Sequence, residues 1–263
     1  MPGSVSSVFG NPANFQEALS KDGMLSLVII GRGRFRARLT QVVLNDMRLA
    51  AGEEELSRIA FVAVPADTVL VLLPIGDRPA AIWSGMELRV GEMITLGPNQ
   101  RMHAKTTGPC VWGSIRLSRD DLARSGRALT GAEFVVPPVA RWRPPRAALR
   151  RLRHFYRAAI RAAEMRSRAL ADDEAARGLE QQLIPALVEC LSARSVDEET
   201  AAARRHRDIL ARFEDLAKDQ PFPDIAEICR ALRVSERMLR RCCEEQLGMG
   251  PGDYAALRRV RSV

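Results

Sequence analysis

The chain has 263 residues, 46% hydrophobic and 27% charged, which is typical of a globular protein with room for two or three small domains. Its formal net charge is +8 and nearly all its basic residues are arginine, which permits nucleic-acid binding without requiring it. No run reaches the roughly 18 apolar residues of a membrane span, and five cysteines without a C-x-x-C pair disfavour a disulfide scaffold or zinc finger. We therefore expect a cytoplasmic protein that does not enter a membrane.

The first region, 15–138, consists of short apolar runs cut by turn-forming residues. Between Phe35 and Val43 apolar residues alternate with Arg and Thr, the period-2 pattern of a strand. Further runs cover 59–64, 69–73, 80–83, 93–96 and 111–117. This spacing predicts a β-rich sandwich or barrel, which we interpret as a sensor or dimerisation domain.

The second region, 146–200, has the composition of a helical connector. One helix face carries Leu149, Leu152, Phe155, Tyr156 and Ala159. A second apolar stripe is formed by Leu179, Leu183, Leu187 and Leu191, and Pro185 within it predicts a kink or a new helix start. The polar stretch 192–200 is interpreted as a hinge. The stripe must pack on the β-rich domain or on a second copy; we favour the second copy and hence a homodimer.

The third region, 204–263, contains the signals of short consecutive helices. Asp224 stands three residues before Glu227, which is the spacing of a capping box. Ser235 is a candidate N-cap for the next helix, and Gly248 is its candidate C-terminal stop. Two short helices joined by a tight turn, the second rich in arginine, predict a helix-turn-helix.

The residues of this region resemble a known family. The matching positions are Ile225, Ile228, Cys229 and Leu232, then Ser235, Arg237, Leu239 and Arg241, then Leu247, Gly248, Pro251 and Tyr254. In order, the last eight read S-x-R-x-L-x-R and L-G-x-x-P-x-x-Y, a pattern that resembles the first helix-turn-helix of AraC/XylS transcription regulators. The resemblance covers roughly 224–260.

Three positions depart from the family pattern. Cys229 replaces the usual small Ala, Arg233 the usual turn Gly, and Cys243 the usual core Phe. A positive φ at Arg233 would cost about 1 kcal/mol relative to Gly. The volume missing at Cys243 requires packing from elsewhere, and Phe222 and Met249 are the candidates.

The resemblance implies an α+β protein: an N-terminal β-rich jelly-roll or cupin-like domain, a helical connector and a C-terminal all-α helix-turn-helix. It implies double-stranded DNA as a partner, RNA polymerase as a candidate partner and a small-molecule effector. The expected DNA-binding residues are Ser235, Arg237, Arg240 and Arg241; the arginines share one helix face, although Arg241 could pair with Glu244 or Glu245. The candidate residues of an effector pocket are Phe61, Trp83, Met86 and Trp112, although ordinary core is the favoured interpretation of each.

Two other classes of protein stay open. A metal-dependent cupin enzyme needs several His ligands and a carboxylate, whereas only His103 of the three His lies in the strand region. A thiol redox sensor could use Cys229 and Cys243, although buried Cys usually acts as a small hydrophobe. We favour a regulator without enzymatic activity, cofactor or metal.

The end of the printed sequence carries one further expectation. The resemblance implies two helix-turn-helix units joined by a helix. The sequence ends at what looks like the start of that helix. One unit supplies fewer phosphate contacts, so weak DNA binding with a shallow salt dependence is expected. Tyr254, Leu257 and Val260 would then form an exposed apolar strip.

Overall fold

A computed structural model describes residues 2–20, 23–76, 81–165, 168–192, 195–217 and 224–259. The strands are β1 Gly3–Phe9, β2 Met24–Ile29, β3 Ala37–Val43, β4 Met47–Glu54, β5 Arg58–Ala63, β6 Thr68–Leu73, β7 Ile82–Trp83, β8 Met86–Glu87, β9 Met93–Leu96, β10 Arg101–Lys105, β11 Cys110–Ser118, β12 Val139–Trp142 and β13 Ser195–Glu198. The helices are α1 Pro12–Ser20, α2 Arg119–Thr130, α3 Arg146–Glu164, α4 Asp173–Leu191, α5 Ala201–Leu216, α6 Ile225–Leu232, α7 Glu236–Leu247 and α8 Pro251–Arg259, with a short 3-10 helix at Arg168–Ala171.

The strands form two antiparallel sheets, so the protein mixes helices with antiparallel strands as expected. The larger sheet has the order β1-β3-β4-β11-β6-β9-β12-β13 and the smaller one β2-β5-β10-β7-β8. The apolar runs of the sequence correspond to β3, β5, β6, β7, β9 and β11. The larger sheet also includes β1, β12 and β13, which lie outside 15–138. Because β13 pairs with β12, part of the stretch interpreted as a hinge is a sheet edge.

The two sheets pack face to face around a shared apolar core. Leu39, Leu72 and Ile94 of the larger sheet meet Leu27 and Val62 of the smaller one. Side chains alternate along a strand, so neighbours of Leu72 and Ile94 such as Val71 and Met93 are buried on the other side of this sheet. Both faces of the larger sheet are therefore covered, which explains why its strands are apolar at most positions.

The helices α3 and α4 cover the outer face of the larger sheet. Leu183 and Leu187 are fully buried there and Leu191 nearly so, while Leu179 is partly buried against the same cluster. The prediction that this stripe pairs with a second copy is therefore wrong, since the stripe is already buried within this chain. The helix continues through Pro185, without a new helix start. Sheet packing supplies stabilisation that compensates for the hydrogen bond that proline cannot make.

A tyrosine fixes the distance between α3 and the larger sheet. Tyr156 is fully buried and its hydroxyl donates to the carbonyl oxygen of Ala50 over 2.5 Å. A Cβ atom at Gly113 would lie 2.8 Å from the tyrosine hydroxyl oxygen. Glycine is therefore required at this position of β11 for α3 to approach the sheet so closely.

The C-terminal helices cover the outer face of the smaller sheet. Val28 and Ile59 of that sheet share a core with Leu210 and Phe213 of α5. The order of layers is thus α3 and α4, the larger sheet, the smaller sheet, and the C-terminal helices. In the described part of the chain, no helix is both long enough and apolar enough to cross a bilayer.

Truncation of Leu183 tests the assignment of its stripe to the core. Leu183→Ala should lower the free energy of unfolding by about 2–5 kcal/mol, because it leaves a cavity under the sheet. Urea denaturation followed by circular dichroism measures this change. The control Leu129→Ala, at a half-exposed position of α2, should change it by no more than about 0.5 kcal/mol. A changed sedimentation coefficient with unchanged stability would return the stripe to an intermolecular interface.

Candidate nucleic-acid interface

Local signals in the sequence define α6, α7 and the turn between them. The Asp224 carboxylate accepts from the Glu227 amide over 2.7 Å, and the Glu227 carboxylate accepts from the Asp224 amide over 3.1 Å, so the capping box is confirmed. The helix ends at Arg233, whose φ of 55° and ψ of 45° are left-handed. This non-glycine residue therefore adopts a positive φ, which costs about 1 kcal/mol relative to Gly. Ser235 then caps α7 by accepting from the Met238 amide over 3.2 Å.

Apolar side chains hold α6 and α7 on α5. The fully or almost fully buried members of this cluster are Leu210, Phe213, Ile228, Leu232, Leu239, Cys242, Cys243 and Leu247. Cys243 belongs to the same cluster as Phe213 and Tyr254, whose ring centroids lie 6.1 Å apart. The partly buried Met249 packs against this cluster. Phe222, the other predicted packing partner, lies outside the described residues. A single rigid cluster thus fixes the orientation of α7.

The predicted DNA-binding residues are all exposed on α7 or at its start. Ser235 and Arg237 lie at the N-terminal end, and within the described residues Arg237 makes no ion pair. Arg240 lies 3.6 Å from the Glu236 carboxylate, whereas Arg241 donates to Glu245 over 2.8 Å. The alternative partner considered for Arg241 is thus the one observed. Arg237 and Arg240 are the arginines most available to a phosphate or a base edge.

A buried carboxylate connects these helices to the smaller sheet. Glu214 of α5 is 1% exposed and accepts from three directions. The Tyr254 hydroxyl of α8 donates over 2.5 Å, His103 Nε2 of β10 donates over 2.8 Å, and the Arg258 guanidinium of α8 completes the group. Sequence analysis missed this cluster, although a glutamate next to Phe213 on the apolar face of α5 was a signal for it.

Tyr254 contradicts one expectation from the sequence. It was expected to lie in an exposed apolar strip with Leu257 and Val260. Instead it is fully buried, Leu257 is partly buried, and Val260 lies outside the described residues. The tyrosine ring packs on Phe213 and its hydroxyl reaches Glu214, so this chain itself supplies the packing partner.

Two arginines add charged contacts at the same boundary. Arg101 of β10 donates twice to Asp215, over 2.7 and 2.6 Å, and once to the carbonyl of Ala211. Arg207 of α5 donates to the carbonyl oxygen of Arg101 in β10 over 3.3 Å, and its guanidinium is held by two hydrogen bonds to Glu199, over 2.7 and 3.0 Å. Such bidentate pairs fix orientation as well as distance, so the C-terminal helices have one defined position on the sheet.

The three histidines lie in three different environments. Burial, with smaller contributions from Arg258 and Arg101, lowers the pKa of His103 to about 3, so its imidazole is neutral and donates to Glu214. His206 contacts the Glu245 carboxylate over 2.6 Å, and His154 lies on α3 beside Phe155. Among the described residues, no three His, Cys, Asp or Glu side chains form a metal-binding group.

The cysteines of the C-terminal cluster have weakly acidic thiols. Burial raises the pKa of Cys243 to about 12 and that of Cys242 to about 11, and it also raises the pKa of Cys229. A thiol of this kind is protonated at neutral pH and reacts poorly with oxidants. Their contribution is therefore to packing.

The predicted effector residues fall into two places. Trp83 and Trp112 line a cavity of about 50 Å³ between the sheets, and Met86 packs at the edge of the same core. Phe61 lies on the outer face of the smaller sheet, with the Arg101 guanidinium 5.1 Å from its ring centroid. The structure therefore brings Trp83 and Trp112 together and separates Phe61 from them.

The neutral state of His103 predicts a pH dependence of stability. The unfolded chain binds a proton at His103 below pH 6.5, whereas the folded chain binds it only near pH 3. Stability therefore falls as pH falls through this window, by up to about 1.4 kcal/mol per pH unit. Comparison of urea denaturation at pH 7 and pH 5 should show a smaller loss in His103→Gln than in wild type. The control His154→Gln should follow wild type; an equal loss in His103→Gln would show that His103 is not the group responsible.

No protein-family model and no curated protein sequence matches this chain. Among solved structures, the AraC-like transcriptional activator CuxR is similar over 98% of this chain and 94% of its own, with 16% sequence identity and a TM-score of 0.51. ToxT from Vibrio cholerae, solved with an unsaturated fatty acid bound, is similar over 82% of this chain and 79% of its own, but its 11% identity and TM-score of 0.34 carry no weight for the fold. The chain therefore has the fold of an AraC-like transcription regulator, as its resemblance to the AraC/XylS family implied.

Proposed function

We propose that this chain is a sequence-specific DNA-binding transcription regulator in which α6 and α7 form a helix-turn-helix. The observation that carries the proposal is the exposed arginine face of α7, with Arg237 and Arg240 one turn apart behind the Ser235 cap. The opposite side of α7 carries its buried stripe and packs into the protein. The arginine face is therefore the side available to a duplex. Its role is recognition of double-stranded DNA.

The chemistry of this face suits the major groove. An arginine fork can bind guanine O6 and N7 together, which gives base readout, or it can bind a phosphate. The N-terminal end of α7 carries the positive end of the helix dipole, which favours a nearby phosphate. Arg241 already pairs with Glu245, so we assign it a smaller part in DNA binding than Arg237 and Arg240.

The remaining parts of the chain have supporting roles in this proposal. The two facing sheets act as a jelly-roll or cupin-like sensor domain for a small-molecule effector, and α3 and α4 support them. A homodimer would read two half-sites, through a surface other than the buried stripe of α4. RNA polymerase is the partner that an activator of this kind contacts, and the bacterial cytoplasm is where all these partners meet.

Substitution of the two arginines tests the recognition face. Binding sites are first selected from a random duplex library with the wild-type chain. Arg237→Ala and Arg240→Ala should each weaken binding to the selected site by about 1–3 kcal/mol, roughly 5- to 150-fold in Kd, in a gel-shift titration. Each loss should be smaller on an unrelated duplex, because base contacts distinguish the two sequences.

Arg150→Ala serves as the matched control for this experiment. Arg150 is an exposed helical arginine on α3, on the far side of both sheets from α7. It should leave DNA affinity unchanged, although the loss of positive charge is the same. Wild-type affinity in both α7 variants, or an equal loss in Arg150→Ala, would contradict the assignment of α7 as the recognition helix.

A further inference from the structure

The turn between α6 and α7 holds an arginine in a backbone conformation that glycine usually adopts. Arg233 has a φ of 55° and a ψ of 45°. Its amide donates to the Arg230 carbonyl oxygen over 3.2 Å, and the next amide, of Val234, donates to the Cys229 carbonyl oxygen over 3.1 Å. These two bonds form the Schellman motif that ends many helices. Its left-handed position favours glycine because a Cβ atom is strained there.

The same protein has glycine at two other helix ends with this conformation. Helix α2 ends at Gly131, with a φ of 73°, and helix α7 ends at Gly248, with a φ of 72°. In the parts of the chain that the structure describes, Arg233 is the one charged residue with a positive φ. Strained residues cluster at functional sites. The strain at Arg233 therefore points to a use for its side chain.

The two helices that flank the turn do not account for this arginine. Arg230 already places a positive charge in the last turn of α6, where it suits the helix dipole. Arg212 of α5 donates to the Ala231 carbonyl oxygen at the same end of α6, over 3.3 Å. Arg233 also lies two residues before Ser235, the cap of α7, where the helix dipole disfavours a positive charge. The use of the Arg233 side chain therefore lies outside the packing of these helices.

The Arg233 side chain is exposed and has no carboxylate partner among the described residues. Its exposed neighbours Arg230 and Arg237 also lack a carboxylate partner there. The three arginines belong to the end of α6, the turn and the start of α7, so positive charge collects around the turn. Like charges that lie close together repel each other, and a bound polyanion removes this repulsion.

We propose that Arg233 binds a phosphate of the DNA backbone beside the major groove that α7 enters. The proposal rests on the function proposed above and adds a contact that carries no sequence information. Arg237 and Arg240 read base edges from α7, whereas Arg233 holds the turn against the backbone and fixes the register of α7 in the groove. The charge-assisted hydrogen bonds between a guanidinium fork and a phosphate offset the strain that glycine would avoid.

Three substitutions separate the charge of Arg233 from its backbone conformation. Arg233→Gly removes both the charge and the strain. Arg233→Asn removes the charge but keeps a side chain that tolerates the left-handed conformation. Arg233→Lys keeps the charge on a long flexible side chain. Arg150→Ala on α3 is the control for the loss of one positive charge far from α7.

Thermal denaturation tests whether the backbone at Arg233 is strained. Arg233→Gly should raise the Tm by about 2–4 °C, because glycine adopts the left-handed conformation without a Cβ clash. A lower Tm in Arg233→Gly would show that the arginine side chain stabilises the turn, and it would overturn the argument from strain.

Gel-shift titrations at several salt concentrations test the contact with DNA on the selected site and on an unrelated duplex. Arg233→Gly and Arg233→Asn should each weaken binding to both duplexes, roughly 5- to 10-fold in Kd at 0.1 M salt. The slope of log Kd against log salt should fall by about 0.9, as expected for the loss of one phosphate contact. Arg233→Lys should keep the wild-type slope, and Arg150→Ala should bind like wild type.

Wild-type affinity or an unchanged salt slope in Arg233→Gly and Arg233→Asn would overturn the phosphate contact. A loss confined to the selected site would also overturn it, because Arg233 would then read a base. A loss in Arg233→Gly that Arg233→Asn does not share would assign the effect to the backbone of the turn. Arg237→Ala is judged by its preference for the selected site, so failure of base recognition and failure of the phosphate contact can be distinguished.

Discussion

The arrangement of this protein depends on one buried carboxylate. Glu214 accepts hydrogen bonds from a strand of the smaller sheet and from α8 while it belongs to α5, so three elements meet at one side chain. An ionised carboxylate without these partners would be costly to bury, and the partners are correctly placed only in one orientation. The apolar side chains of α5 pack on the smaller sheet, and the hydrogen bonds of Glu214 fix the orientation of the helix on it.

The two packed sheets support helices on both of their outer faces. One outer face holds α3 and α4, and the opposite outer face holds α5 to α8, with the arginine face of α7 exposed. The arginine face of α7 is thus presented by a rigid support rather than by a free helical pair.

Local patterns were sufficient for many elements, because their causes lie within a few residues. The strands Arg58–Ala63 and Thr68–Leu73 follow from short apolar runs between turns, and the caps at Asp224 and Ser235 follow from the spacing of polar side chains. The resemblance identified 233 as a turn position usually held by Gly, and the structure established that Arg233 has a positive φ there. The exposure of Arg237 and Arg240 follows from the buried stripe on the opposite face of α7.

By itself, the sequence determined that a strand-rich region is followed by helical regions. It also determined the caps of α6 and α7 and the resemblance to AraC/XylS regulators. Only the tertiary structure decided what covers each apolar face. The α4 stripe packs on the sheet although its pattern would equally suit a helix pair, because an apolar stripe specifies burial but not the partner. Tyr254, His103 and Glu214 are 40 to 151 residues apart, and no local pattern encodes their meeting.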